Sequence, residues 1–119
     1  MSLLEELKNL GVNVDEGLDR VMGDNALYEM MLGMFVDSVN NNPVSPEDFS
    51  GAGLSTQIER VHTLKGVTGN LSMTPLLERY TRALGLLRAE QAAEARKEFE
   101  QLLPVQAEIT DCIKRHTGG

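Results

Sequence analysis

Apolar residues recur along most of this chain at the three-and-four spacing of helices, without the alternating runs that mark strands. Leu3, Leu4, Leu7 and Leu10 set that period first, and Gly11 is a reasonable C-terminal glycine for a short helix. Asp15 is expected to cap a second short helix that turns Leu18, Val21 and Met22 inward and ends near Gly23. Asp24 then caps a longer helix in which Leu27, Met30, Met31, Met34 and Phe35 form the predicted core stripe. Asn40-Asn41-Asn42-Pro43 stops it, because proline restricts the residue before it and has no amide donor. Ser45-Pro46-Glu47-Asp48 suits one short helical turn, and the glycines at 51 and 53 predict a flexible connection over 50–53.

A further helix starts near Leu54 or Ser55 and runs to about Leu71, with Ile58, Val61, Leu64, Thr68 and Leu71 on its apolar side. Thr74-Pro75 signals the next start, a capping hydroxyl followed by proline in the first helical position. Leu76, Leu77, Tyr80, Ala83, Leu84 and Leu87 supply that helix's inner face. After a tight connection at 88–90, Ala92, Ala95, Phe99, Leu102, Ile109 and Ile113 mark a last helix, with polar Gln106 on its seam and Pro104 expected to kink it. The tail at 117–119 is expected to fray. Residues 1–119 thus read as one all-α domain: an antiparallel four-helix bundle over 24–116 behind a short helical N-terminal extension, 1–23.

Composition narrows the function. The net charge is −7 and no Lys or Arg cluster forms a basic face, which argues against a nucleic-acid partner. Cys112 is the only cysteine, so no internal disulfide is possible; its place at a helical spacing predicts a core residue, and its free state fits a reducing compartment. No apolar run approaches the ~18 residues of a bilayer span and no signal peptide is evident. The expectation is a cytoplasmic chain without direct membrane contact, either a free protein or the cytoplasmic part of a larger membrane-bound one, which would look the same. Walker-type phosphate loops, His-Glu-x-x-His and Gly-x-Ser-x-Gly are all missing from the sequence, and no metal or cofactor site is expected in this chain. His116 falls in a terminal stretch expected to be solvated, which leaves His62 as the centre of any chemistry.

At about 100° per residue, His62, Gly66 and Gly69 share one flank of their helix, with Lys65 between them and the apolar stripe. Lys65, at i+3, places an ammonium near anything attached to the imidazole. Each internal glycine costs about 1 kcal/mol relative to alanine, so two of them beside one histidine ask for a reason, and close approach by a partner is one. Close helix packing is an equal alternative for Gly69. Ser55, Glu59 and Arg60 lie where a docking surface would continue.

The sequence His62-Thr63-Leu64-Lys65-Gly66, followed by Gly69-Asn70-Leu71, resembles the active-site helix of histidine-containing phosphotransfer (HPt) domains, whose signature is His-x-x-Lys-Gly on the second helix of a four-helix bundle. Phe35 stands where that family usually places an aromatic, and the resemblance covers most of the chain. Ser72 departs from it, standing where many members have another glycine; Leu84 departs too, where many offer Glu or Gln. The resemblance implies a phosphohistidine carrier in a His–Asp phosphorelay, with His62 phosphorylated, Lys65 balancing phosphoryl charge and Gly66 and Gly69 giving docking space. It implies receiver domains of response regulators as partners, with Mg²⁺ on the receiver, and a monomeric module, either free or part of a hybrid sensor kinase. The competing expectation is a helical interaction module that binds a receiver or another partner without carrying phosphate. A kinase dimerisation domain fits less well, because Thr63 follows His62 where an acidic residue is typical.

Overall fold

The computed structural model describes residues 2–49 and 54–117. The connection expected at 50–53 and the last two residues of the tail lie outside the described residues. The elements are α1 (Leu3–Asn9), α2 (Val14–Arg20), α3 (Asn25–Asn41), a 3₁₀ turn (Pro46–Phe49), α4 (Leu54–Asn70), α5 (Thr74–Arg88) and α6 (Ala92–Thr117), and no strand occurs among the described residues. The fold is all-helical. At about 1.5 Å per residue, α6 alone is roughly 39 Å long, and it sets the longest dimension of a 43 × 25 × 22 Å molecule. It runs unbroken through Pro104, which lies on its exposed side.

Packing follows the buried faces. The helix α5 lies along both α4 and α6, and α3 lies against α4 and α6. One core receives Tyr28, Leu32 and Phe35 from α3, Val61 and Leu64 from α4, Tyr80 and Leu84 from α5, and Phe99 and Ile109 from α6. The 3₁₀ turn inserts Phe49 edge-on against Phe99, with ring centroids 5.4 Å apart at 83°. Gln106, the polar residue on the α6 seam, accepts a hydrogen bond from the Tyr80 hydroxyl, and burial pushes that phenol's pKa up. The N-terminal helices share this core through Leu3, Leu7, Val12 and Val14, with α1 packed on α6 and α2 on α3.

Four expectations need correction. Asn13, not Asp15, caps α2, its side chain accepting from the Glu16 amide at 3.2 Å. Val14, one residue on, is then the buried residue that anchors the helix. Met22 does not face inward: α2 has ended at Arg20, and Met22 stands 96% exposed in the turn beyond it. Thr74 is the first residue of α5 rather than its cap; Met73 takes the cap position, with no side-chain hydrogen bond. Of the predicted α3 stripe, Phe35 is buried and Met31 packs against the core, but Leu27, Met30 and Met34 face solvent, with Met30 58% and Met34 56% exposed. Tyr28, Leu32 and Phe35 follow an equally helical spacing a third of a turn away. The rings of Tyr28 and Phe35 bury large apolar surfaces, and the Tyr28 hydroxyl donates to the Leu71 carbonyl at 2.8 Å inside the core. Burial raises the Tyr28 phenol to about 12. The predicted Asp24 cap does form, accepting from the Leu27 amide at 3.0 Å.

Helix ends recur in one form. In α1 the Val12 amide reaches the Leu7 carbonyl and the Gly11 amide the Lys8 carbonyl, with Gly11 at φ +93°. The same pair of bonds closes α2, α4 and α5, but there the left-handed residue is Met22 (φ +57°), Ser72 (φ +56°) and Glu90 (φ +60°). A side chain in that conformation is strained by contact between Cβ and the following carbonyl. At Ser72 the hydroxyl donates to Glu16 Oε1 at 2.8 Å and accepts from Arg20 Nε at 3.2 Å. The Ser72 hydrogen bond, with Arg20 behind it, holds the Glu16 carboxyl below its usual pKa. The Asn13 amide also donates to the Ser72 carbonyl at 3.0 Å. Thus α2 holds the end of α4. Close packing also explains Gly17, where an added Cβ would lie 2.5 Å from Tyr28 Cε1.

Met22 has no such compensation. Replacing Met22 with Gly is expected to raise the free energy of unfolding by about 0.5–1 kcal/mol through relief of left-handed strain. Urea denaturation checks it: the midpoint should rise at constant m-value, and a fall would show that Met22 is not strained.

Candidate functional site

The rotation of α4 is set by its buried side, where Val61 and Thr68 are 0% exposed and Leu64 is 1% exposed. Thr68 fits this apolar face because its hydroxyl donates back to the Lys65 carbonyl at 2.9 Å. With that side fixed inward, His62 and Gly66 come to the surface and Lys65 and Gly69 to a half-buried border. The structure therefore brings His62, Lys65, Gly66 and Gly69 into one ribbon along α4. Neither the His62 ring nor the Lys65 ammonium makes a hydrogen bond or ion pair among the described residues. An imidazole and a neighbouring cation are both available to an incoming group.

The two glycines have no internal packing reason. A Cβ on Gly66 would meet nothing within 4 Å, and one on Gly69 would sit 3.8 Å from Leu77 Cδ1, an ordinary van der Waals contact. Alanine would fit at both. Together they give up about 2 kcal/mol of helix propensity, and no steric need among the described residues calls for either glycine. Gly69 is half-buried beside α5, but an alanine would make only ordinary contact there, so packing does not require the glycine.

On the neighbouring helix, Leu77 Cδ1 lies beside the Cβ position of Gly69 and so marks the level of α5. Counting one helical rise per residue from it along the antiparallel pair sets His62 level with Leu84 and Gly85. Leu84 is 1% exposed and belongs to the core. Gly85 is exposed, with nothing within 4 Å of its Cβ position. No polar side chain reaches His62 from that level of α5. Elsewhere on this helix Arg79 and Arg82 each lie 3.4 Å from the same Glu98 oxygen, so two cations share one carboxylate.

The wider docking residues divide. Ser55 and Glu59 are exposed on α4, as expected from their positions. Arg60 is half-buried and committed within the molecule, its Nη1 donating to the Pro43 carbonyl at 2.7 Å. It tethers the loop after α3 to α4 instead of extending the ribbon. Phe35 is fully buried and acts as core.

The structure also assembles a group that the sequence did not point to. Glu6 Oε2 on α1 lies 3.3 Å from Cys112 Sγ and 2.7 Å from His116 Nε2, both on α6. The Cys112 thiol donates to that oxygen, and Arg115 Nη2 stands 3.6 Å away. The hydrogen bonds from His116 and then Cys112 hold the Glu6 carboxyl below its usual pKa. Burial first, and Glu6 second, push the Cys112 thiol up. Cys112 is core, as expected, but His116 is not merely solvated: its side chain is 27% exposed and clasped to α1. The four-residue spacing of Cys112 and His116 on one helix face was visible in the sequence; Glu6, 106 residues from Cys112, was not.

Comparison of the chain with protein-family models, with curated proteins and with solved structures returned no match.

Proposed function

We propose that this chain is an HPt-type phosphohistidine carrier, with His62 as the residue that accepts and donates the phosphoryl group. The observation that carries this is the ribbon itself: an imidazole and an ammonium without partners among the described residues, beside two glycines that no steric contact among those residues requires. A surface stripped of side chains around one nucleophile suits a partner that must bring its own reacting group within bonding distance. The mutual packing of α3, α4, α5 and α6 supports reading them as the antiparallel four-helix bundle of that family, with residues 1–23 as its extension. The partner is a receiver domain of a response regulator, in a cytoplasmic relay. The chain acts as a monomeric module, either free or attached to a hybrid sensor kinase.

In the transfer, Nε2 of neutral His62 attacks the phosphorus of a phosphoaspartate on the receiver. The N–P bond forms as the acyl phosphate O–P bond breaks, and the aspartate leaves as carboxylate. The reverse step phosphorylates a receiver. Such transfer needs in-line positioning and charge stabilisation more than covalent machinery. The receiver supplies Mg²⁺, and Lys65 faces the phosphoryl oxygens from this side. With Leu84 in the core and Gly85 bare, His62 takes its orientation from α4 and from the docked partner rather than from α5.

Incubation with a phosphorylated receiver should give acid-labile, base-stable label on the wild-type chain. His62→Gln should abolish it with an unchanged helical circular-dichroism signal; label retained in that variant would refute the site. Receiver binding without any label on the wild type would instead favour the interaction module. Lys65→Ala should slow transfer about tenfold, equivalent to ~1.4 kcal/mol of transition-state stabilisation, measured under single-turnover conditions; an unchanged rate removes Lys65 from the mechanism. For Gly66→Leu the two readouts should move in opposite directions. The melting temperature should hold or rise, because leucine is the better helix former, while the receiver concentration for half-maximal transfer rises about tenfold or more, about 1.4 kcal/mol of lost docking. Unimpaired docking would show that the bare surface is not used.

A further inference from the structure

The group formed by Glu6, Cys112 and His116 lies on α1 and the last turns of α6, apart from the α4 ribbon and unused by the proposed transfer. Its three donor atoms, a carboxylate oxygen, a thiol sulfur and an imidazole nitrogen, all lie within 4.8 Å of one another. Around a tetrahedral zinc, bonds of about 2.0–2.3 Å place ligand atoms roughly 3.3–3.7 Å apart. The Cys112–Glu6 separation of 3.3 Å meets that already, and the His116–Glu6 separation of 2.7 Å needs to open by about half an ångström.

We propose that Glu6, Cys112 and His116 form a binding site for a borderline-soft divalent cation of the zinc class. Four observations converge on it. Cys112 and His116, four residues apart, project from the same face of one helix, as paired ligands on a helix do. Both point at a single oxygen, so a cation takes the place now held by the bridging hydrogens. The set of thiolate, carboxylate and neutral imidazole carries two negative charges, equal and opposite to the ion. The chemistry is also selective: sulfur and imidazole favour zinc over magnesium or calcium.

Binding is balanced as follows. The Cys112 thiol gives up its proton to solvent and coordinates as thiolate; the Nε2 proton of His116 also passes to solvent, and the neutral ring coordinates through Nε2 with its one proton on Nδ1. Arg115, 3.6 Å from the Glu6 oxygen, is 64% exposed and swings into solvent as the cation replaces it. Three protein ligands leave a fourth position for water or an exogenous ligand, the open form of zinc site. Because the ligands come from both ends of the chain, the ion joins α1 to α6 and stabilises the folded state by mass action.

Cobalt(II) is the probe, titrated into the reduced full chain. The expected result is a saturable thiolate-to-cobalt charge-transfer band with tetrahedral visible bands, at one cobalt per chain. Cys112→Ser should remove the band. Glu6→Gln and His116→Ala should each weaken binding by more than the ~10–100-fold typical of losing an outer-shell partner. His62→Gln should bind as wild type, and Arg115→Ala as tightly or more tightly. Zinc should displace cobalt and, at about 100 times its dissociation constant, raise the melting temperature of the wild type by roughly 10 °C. Absence of a saturable thiolate band in the wild type, or affinity unaltered in both Glu6→Gln and His116→Ala, would overturn the site. The wild-type and Arg115→Ala titrations test the site even where a ligand variant fails to fold.

Discussion

Where His62 points depends on the rotation of α4 about its own axis, and three buried side chains set that rotation. Val61, Leu64 and Thr68 occupy one side with no room to turn, so the opposite flank is held outward. A shift of one residue in that packing would carry His62 about 100° around the helix, toward the border with α5 or away from it. The hydroxyl of Thr68 allows a polar residue to stand in this position because it is satisfied by the helix's own backbone. The placing of His62 is therefore a packing result, and the ribbon needs no polar scaffold around it.

The far end of α4 is held by different means. Its last turn closes on a serine in a left-handed conformation, and the partners of that serine come from α2. Tyr28, from the start of α3, takes the Leu71 carbonyl one residue earlier. Two elements outside the α4–α5 hairpin thus anchor the same turn. The N-terminal segment serves as the bracket for the end of the histidine helix.

Much of this was legible in the sequence. The limits of α3, α4, α5 and α6 follow from Asp24, the asparagines before Pro43, Pro75 and the apolar periods, because those signals are local. The inward face of α3 was legible only in part: Phe35 and Met31 of the predicted stripe do pack inward, but Leu27-Met30-Met34 and Tyr28-Leu32 are equally valid helical continuations of it. Only the tertiary partners, among them the Leu71 carbonyl for Tyr28, choose between them. The left-handed closing residues Met22, Ser72 and Glu90 were hidden for another reason: each stands where a glycine would ordinarily mark such a closure. The motif around His62 was plain from the residues, whereas the openness at Gly66 and Gly69 was not, because a glycine looks the same in sequence whether it faces a packed helix or solvent. Glu6 and His116 meet only after the chain has closed on itself.

That closure has a consequence for any longer polypeptide that contains this domain. Since Glu6 on α1 grips His116 on the last turn of α6, chain entering before residue 2 and chain leaving after residue 117 are tethered at neighbouring points on the surface. A domain fused on either side swings from nearly the same anchor. Two domains, one on each side, would crowd each other there, and a short linker would suffice to join the two ends into a permuted chain.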